Sequence, residues 1–308
     1  MSYYRVLGLQ REPFSNSPDP LFFFRSEGHY AALCRLQVAI ALKRGMSVVL
    51  GDVGTGKTTL SRRLSIALYE DQQVMLRMIL NPYFRTEKQF LSRLASLFRL
   101  QLSDRATALD YMEAVETYLF KVGVEEKRTV VLLIDEAQLL PDFVFELLRI
   151  LLNYETNEAK ILQLVLMGQM ELLPRLTALP NFWDRIALKI LLKPMSEGEI
   201  RDLITFRLKQ AGHAGPEGFF SGEAVRAIHE QTDGYPRKVN QLCHSILEHM
   251  VMHDMHKVDE ALVLRVIEKE SESDPFRALM DRPSGMGLNV TPSAGMVAPV
   301  TLRVVNGD

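Results

Sequence analysis

The stretch GDVGTGKTTLSRRLSIA, which begins at Gly51, constrains the fold more than any other part of the chain. It follows MSVVL (46–50), a β-branched apolar run that is typical of a buried strand. Behind it, Leu60, Leu64 and Leu68 recur at helical spacing. A strand, a glycine-rich loop and a helix in this order predict inward-pointing backbone N–H groups beside a helix N-terminus, which is a phosphate-binding site.

Four residues fit the pattern G-x-x-x-x-G-K-[ST] in the strand–loop–helix context that it requires: Gly51, Gly56, Lys57 and Thr58. We expect Lys57 to reach the β- and γ-phosphates of a nucleotide and Thr58 to ligate Mg²⁺. A chance glycine turn would match only part of this pattern. The residues predicted to bind the nucleotide are Asp52, Val53, Gly54, Thr55, Gly56, Lys57, Thr58 and Thr59.

A second apolar run, TVVLLI (129–134), ends in two adjacent acids, Asp135 and Glu136, and resembles a Walker B strand. We expect Asp135 to position Mg²⁺ through its bound water, and Glu136 to act as the general base that orients and polarises the attacking water. The alternative is that DEAQ only caps the following helix. The phosphate-binding pattern at residues 51–58, known as a P-loop, occurs in the same chain and favours the metal-binding and catalytic roles.

The rest of the chain predicts an α/β fold followed by helices. Apolar runs at 73–80, 161–167 and 185–192 alternate with helical patterns, which predicts a parallel sheet covered on both faces and a ligand at the carboxyl ends of its strands. From Lys193 onward only helical patterns occur. We expect a nucleotide-binding domain over 1–194, an all-helical lid over 195–270 and a flexible tail over 271–308.

The composition indicates a cellular location but does not identify a binding partner. A net charge of −2 gives no bulk attraction to nucleic acid or anionic membrane, and no apolar run is long enough to span a bilayer. Cys34 and Cys243 lie among apolar residues at helical spacing, which favours buried thiols in a reducing compartment. These features predict a cytoplasmic protein.

Several motifs in order resemble the AAA+ ATPases, whose fold is a three-layer αβα P-loop NTPase domain followed by a helical lid. More narrowly, the chain from about Tyr4 to Ile267 resembles the general secretion ATPases of the ExeA/GspA type. Relatives of that group come from exopolysaccharide and exosortase loci and from transposition (the TniB type). The motifs are GLQREPFSNSPDPLFFFRSEGHYAAL, GDVGTGKTTL, LLIDEAQLL, LVLMGQMEL and DGYPRKVNQLC.

The resemblance implies further site residues. Gln169 occupies the sensor 1 position, where it would reach the γ-phosphate or the lytic water, although it could instead cap the next helix. Arg237 matches sensor 2, a lid arginine that contacts the nucleotide. Arg185 matches the arginine that reaches into a neighbouring subunit's site, with Arg175 as a weaker candidate. Segment 1–30 would border the adenine, with Phe14 or Pro13 against the base, although hydrophobic anchoring explains Phe14 equally well.

Two functions follow from the resemblance. The first is an ATP-hydrolysing switch that self-associates and acts on a protein partner in secretion or exopolysaccharide export. The second is an ATP-dependent, DNA-binding transposition regulator, with basic pairs at 43–44, 62–63 and 127–128 as contacts. ATP is preferred mainly by resemblance. The best-known secretion members continue into a transmembrane helix and a peptidoglycan-binding domain, patterns that these 308 residues lack, which favours a stand-alone cytoplasmic ATPase.

Overall fold

The computed structural model describes residues 2–15, 20–156, 159–214 and 218–273. The strands are β1 (Met46–Leu50), β2 (Val74–Ile79), β3 (Thr129–Ile134), β4 (Leu162–Gly168) and β5 (Ile186–Leu191). The helices are α1 (Tyr3–Val6), α2 (Glu27–Ala41), α3 (Lys57–Tyr69), α4 (Glu87–Leu97), α5 (Ala108–Phe120), α6 (Asp142–Leu151), α7 (Leu172–Thr177), α8 (Pro180–Trp183), α9 (Glu197–Gln210), α10 (Gly222–Thr232), α11 (Pro236–Met252) and α12 (Glu260–Ser273). Short 3₁₀ turns at Pro20–Phe22 and Ala137–Leu139 and a π-helical turn at Lys121–Glu125 complete the elements.

The five strands form one parallel sheet in the order β2-β3-β4-β1-β5. Each strand lies within one residue, at either end, of the apolar run that predicts it. The predicted parallel sheet is therefore confirmed. The strands are short, from five residues in β1 to seven in β4.

Helices cover both faces of the sheet. Successive residues of a strand face opposite ways, so each strand contributes side chains to both faces. Along β3, Val130, Leu132 and Ile134 join the core formed with α4 to α8, whereas Val131 and Leu133 join the core formed with α2 and α3. All five residues are fully buried. Burial on both faces explains why the strand is continuously apolar, and it confirms the three-layer αβα fold.

The register brings the carboxyl ends of three strands to one edge of the sheet. Leu50 of β1 pairs with Gly168 of β4, and Ile134 of β3 pairs with Leu166 of β4. The chain leaves these strands at Gly51, Asp135 and Gln169, so the residues that follow them are neighbours. This edge carries the candidate site.

Side-chain caps mark the starts of two helices after β5. Ser196 and Glu199 form a capping box at α9, and the Ser221 hydroxyl accepts a hydrogen bond from the Ala224 N–H at the start of α10. Helix α12 has 14 residues. It runs to Ser273, three residues into the predicted tail, and the remainder of that tail lies outside the described residues.

One long element was not predicted. Helix α2 precedes β1 and is N-capped by Ser26, whose hydroxyl accepts from the His29 N–H. It packs on the same face of the sheet as α3, through buried residues such as Leu36 and Ile40. Across the part of the chain that the structure describes, no helix combines the length and apolar character that a membrane span needs.

Candidate nucleotide site

The glycine-rich loop has the backbone that a phosphate cradle requires. Gly54 and Gly56 have φ values of 87° and 95°, a region that side chains other than glycine rarely adopt. A Cβ atom on Gly56 would lie 2.6 Å from the His29 ring. Gly56 is also the N-cap of α3 and offers no side chain to its first N–H groups, which leaves these donors for an anion.

Lys57 is folded back onto this loop. Its ammonium group donates to the carbonyl oxygens of Gly51 (2.6 Å) and Asp52 (2.9 Å), and the residue is only 6% exposed. Burial lowers the pKa of Lys57, and the charges of Glu136 and Asp135 oppose that shift. The two carboxylates are therefore close enough to Lys57 to stabilise its charged form.

Asp135 and Glu136 leave β3 with different exposures. Asp135 is buried, which raises its pKa, while a hydrogen bond from the Glu136 N–H to its Oδ1 (3.0 Å) acts in the opposite direction. Glu136 has a left-handed backbone, with φ 53° and ψ 39°. For a residue other than glycine this conformation costs about 1–2 kcal/mol. The turn separates the two side chains, so that Glu136 lines the cavity described below.

Two glutamines hold the Glu136 carboxylate. Its Oε2 accepts from Gln138 Nε2 (2.5 Å) and from Gln169 Nε2 (3.2 Å). The Gln138 side-chain oxygen in turn accepts from the Gln169 backbone N–H (3.0 Å). The structure thus brings Gln169 to Glu136, and it adds Gln138, which sequence reasoning missed although it lies within the DEAQ motif.

Arg175, the weaker candidate for a trans-acting arginine, is engaged within its own chain. Its guanidinium donates to the carbonyl oxygens of Gln138 (2.7 Å) and Leu140 (2.6 Å) and pairs with Asp142. It also lies 5.1 Å from the centre of the Phe145 ring. These contacts favour a role in anchoring the segment after β3.

The stronger candidate, Arg185, lies at the other edge of the sheet. It directly precedes β5, whose first residue, Ile186, pairs with Met46 at the start of β1. The P-loop follows the opposite end of β1. Arg185 donates from Nε to the Asn181 carbonyl (3.2 Å) and is half-buried. It is therefore placed away from the loop of its own chain.

The helical region after β5, which is the predicted lid, contacts the P-loop through the GYPR segment. The Tyr235 hydroxyl donates to the Asp52 carboxylate (3.0 Å), and the Arg237 N–H donates to the Gly54 carbonyl (3.4 Å). A Cβ on Gly54 would lie 3.2 Å from the Cβ of Arg237, so the close approach requires glycine in the loop. Arg237 therefore lies directly beside the backbone that is predicted to bind phosphate.

The N-terminal segment is anchored to the lid. Phe14 is buried and packs edge-on against Phe220, with 6.2 Å between ring centroids, so hydrophobic anchoring explains this residue. Arg207 of α9 donates to the carbonyl oxygens of Pro13 (2.9 Å) and Ser15 (3.3 Å) and lies 5.4 Å from the Phe22 ring centroid. Neither Phe22 nor Arg207 was identified from the sequence.

His29 supports the P-loop from α2. Its Nε2 lies 2.7 Å from the Thr55 carbonyl oxygen, and its Nδ1 lies 2.7 Å from the Ser26 hydroxyl. A carbonyl oxygen only accepts, so Nε2 carries the proton and Nδ1 accepts from Ser26. Burial lowers the pKa of His29, while its hydrogen bond to Thr55 raises it. The neutral imidazole thereby fixes the carbonyl that precedes Gly56.

These elements enclose one cavity of about 360 Å³ between the sheet edge and the lid. Its described lining contains residues of the glycine-rich loop, the catalytic candidates Glu136 and Gln169, and Arg237. The lining residues are Ser15, Phe22, Val53, Gly54, Gly56, Lys57, Thr58, Thr59, Glu136, Gln169, Arg207, Pro236, Arg237 and Asn240.

The donor set suits a magnesium ion bound mainly by a substrate. The described residues contain no cluster of three or more His, Cys, Asp or Glu side chains that could hold a metal by themselves. Mg²⁺ is commonly held by one or two protein oxygens together with phosphate and water. The Thr58 hydroxyl and the Asp135 carboxylate are the oxygens that the sequence predicts for this role.

The comparisons with known proteins agree with this geometry. Residues 41–176 match the protein family described as an AAA domain. General secretion pathway protein A of Aeromonas hydrophila is 35% identical over 258 residues, which cover 83% of this chain and 46% of that protein. The chain therefore spans about half the length of this relative.

Solved structures share the fold at lower sequence identity. Cdc6p from Pyrobaculum aerophilum matches with a TM-score of 0.64 and 18% identity, over 88% of this chain and 74% of that one. The RuvB branch migration motor of Thermotoga maritima matches with a TM-score of 0.53 and 18% identity, over 80% and 70% of the two chains. These likenesses support the fold.

Proposed function

We propose that the chain is an AAA+ ATPase, which binds ATP with Mg²⁺ in this cavity and hydrolyses it to ADP and phosphate. One observation carries the proposal: the P-loop, the Glu136–Gln169 pair and Arg237 all line the same cavity. Each group is placed by a different segment of the chain. A purely structural P-loop would not require this convergence.

The proposed reaction begins at the loop. The backbone N–H groups at Gly54–Thr58 bind phosphate oxygens, and Lys57 exchanges its two carbonyl acceptors for negatively charged ones. Thr58 and Asp135 would hold Mg²⁺, which supplies positive charge against the phosphates. Lys57 and Arg237 add charge from the protein itself.

Glu136 then acts as the general base. It accepts a proton from a water molecule whose oxygen attacks the γ-phosphorus, while the bond to the β–γ bridging oxygen breaks and ADP leaves. Gln169 and Gln138 orient the Glu136 carboxylate through their hydrogen bonds. Gln169 also lines the cavity, so it is positioned to contact the γ-phosphate or the water.

Hydrolysis would be transmitted through the lid. Tyr235 and Arg237 contact the P-loop directly, so a change of charge at the γ-phosphate position alters the contacts that hold the lid against the loop. A change in the lid's angle is a common way for such a protein to remodel or release a partner. Self-association would add Arg185 of a neighbouring copy to the site.

The first test is phosphate release by the wild type, Lys57→Ala and Glu136→Gln. We expect Glu136→Gln to lower kcat by about 10²–10⁴-fold while ATP still binds, because only the general base is lost. Lys57→Ala should weaken ATP binding as well. The matched controls are Lys88→Ala and Glu113→Gln, at exposed positions on α4 and α5. Undiminished turnover in both site variants would exclude the assigned site.

The pathway is a further part of the proposal. General secretion pathway protein A carries secretion in its name, so we propose a cytoplasmic ATPase that acts on a partner in secretion or polysaccharide export. A strain lacking the chain should lose export, and the wild type but not Glu136→Gln should restore it. Restoration by Glu136→Gln would contradict an ATP-driven role.

Binding to DNA is the competing proposal. Two of its three basic pairs, at 43–44 and 127–128, precede β1 and β3 and therefore share the amino edge of the sheet. Arg128 lies 4.0 Å from Glu126, which reduces the positive charge there. A gel shift on duplex DNA with a non-hydrolysable ATP analogue at two salt concentrations separates the functions. Salt-sensitive, nucleotide-dependent binding would favour the DNA-binding role.

A further inference from the structure

Asn240 presents unused hydrogen-bonding capacity in the cavity wall. It follows Arg237 by three residues on α11, so both side chains lie on one side of the helix. Both residues line the cavity. Asn240 is only 8% exposed, and its Oδ1 atom is buried without a hydrogen-bond partner among the residues that the structure describes. A buried amide oxygen normally has a donor, so this one points to a ligand.

The surrounding wall suits a planar ring. Phe22 and Pro236 contribute apolar surface, and the Arg207 guanidinium lies 5.4 Å from the Phe22 ring centroid. Arg207 is held by the carbonyl oxygens of Pro13 and Ser15, so this wall is fixed by contacts between the N-terminal segment and the lid. An aromatic heterocycle can pack on such a surface and direct one polar edge at an amide.

We propose that Asn240 Oδ1 accepts a hydrogen bond from the 6-amino group of adenine, and that Asn240 thereby selects adenine over other purines. The inference rests on the proposed function, because a triphosphate at the P-loop directs the base toward the lid. Adenine presents a donor at position 6, which matches the unpaired acceptor. Guanine presents a carbonyl oxygen there, so two acceptors would face each other.

The charges in the cavity agree with this choice. The other edge of guanine carries two adjacent donors, N1–H and the 2-amino group, which a carboxylate can satisfy together. Glu136 is the only carboxylate among the described cavity-lining residues. It lies near Lys57, at the phosphate end, where the charge of Glu136 favours the lysine ammonium. A guanine ring beside Asn240 would leave one of these two donors, N1–H or the 2-amino group, unpaired.

The test compares two ligands that differ only at position 6: ATP and purine riboside triphosphate, which lacks the amino group. With Mg²⁺ present, the wild type should bind ATP about three- to tenfold more tightly, the effect of one neutral hydrogen bond. Asn240→Leu, similar in shape but without an acceptor, should bind both ligands equally. The matched control Gln241→Leu, at an exposed position on the same helix, should keep the preference.

The readout is a ratio measured within one protein, so a general loss of stability does not imitate the effect. If Asn240→Leu does not fold, Asn240→Ser removes the reach of the amide and should also abolish the preference. An Asn240 variant that retains the wild-type preference, or a wild type without one, overturns the proposal. Failure of the wild type to bind ATP at all would instead contradict the proposed function.

Discussion

The two ends of the cavity, which we propose bind the phosphates and the base, are built in different ways. The phosphate end is formed mainly by nine consecutive residues, 51–59, and by the residues that directly follow β3 and β4. The base end is assembled from Ser15, Phe22, Arg207 and Asn240, which come from the N-terminal segment and two lid helices. A local motif therefore defines the first end, whereas only tertiary packing defines the second.

The largest expected effect tests whether the phosphate end is complete within one chain. Arg185 lies beside the first residue of β1, and the P-loop follows the last one. Five strand residues that rise about 3.3 Å each place Arg185 about 15 Å from the P-loop. We therefore expect Arg185 to serve a neighbouring copy. Arg185→Ala should lower kcat by about 10³-fold, the usual effect of losing such an arginine. Phosphate release at protein concentrations that allow association measures it.

Mixing two inactive variants makes this prediction specific. Arg185→Ala retains Glu136, and Glu136→Gln retains Arg185, so an interface that receives Glu136 from the first and Arg185 from the second has both groups. The mixture should recover activity that neither variant shows alone. Arg201→Ala, at an exposed lid position, serves as the control. Full activity of Arg185→Ala alone, or no recovery on mixing, would show that the site is not shared.

A second prediction concerns how the phosphate end is ordered. Gln138 holds Glu136 and receives the Gln169 N–H, so Gln138→Ala should free the general base to rotate. We expect kcat to fall about tenfold, the loss of a hydrogen bond to a charged group, while the Kd for ATP stays unchanged. Gln101→Ala, at an exposed position, is the control. Weaker ATP binding with unchanged kcat would contradict a positioning role.

The same division explains what the sequence could predict. The P-loop, the acidic pair and all five strands were predictable because glycine positions and continuous apolar runs act locally. The contact between Gln138 and Glu136 depends on a left-handed turn at Glu136, and a residue other than glycine gives no sequence signal for such a turn. The placement of Gln169, Arg237 and Arg185 came from family resemblance, and the structure adds their surroundings.

For the base end, the sequence predicted only that segment 1–30 would border the adenine. Arg207 lies in an amphipathic helix, where an arginine usually faces solvent, and it is buried because the N-terminal segment crosses α9. Phe14 was a candidate for contact with the base, yet it packs against Phe220 in the lid. His29 of α2 lies within a motif that resembles the family, but the sequence assigns it no role. These contacts join residues far apart in sequence, so spacing does not reveal them.

A third prediction separates the two ends. Arg207→Met removes the donors that hold the Pro13 and Ser15 carbonyl oxygens, so the base end should loosen while the loop is unchanged. We expect the free energy of unfolding to fall by about 1–3 kcal/mol. ATP affinity should fall, but inorganic triphosphate affinity should not. Arg201→Met on the same helix is the control, and an equal loss for both ligands would show that the ends are not independent.

The smallest effect concerns His29, which connects the segment preceding β1 to the P-loop through Thr55. Burial lowers the pKa of His29, so the folded state holds it neutral while the unfolded chain gains a proton near pH 6.5. Its stabilising contribution should be complete above pH 6.5 and decline as the pH falls below it, by at most about 1.4 kcal/mol per pH unit. Glu199, whose charge favours protonation of His29, limits the decline.

Denaturant unfolding between pH 7.5 and 5.5 measures how the free energy of unfolding depends on pH. This dependence should be shallower for His29→Gln than for the wild type, and it should equal that of the wild type for His256→Gln at an exposed position. Equal slopes for the wild type and His29→Gln would mean that the P-loop does not depend on a neutral imidazole.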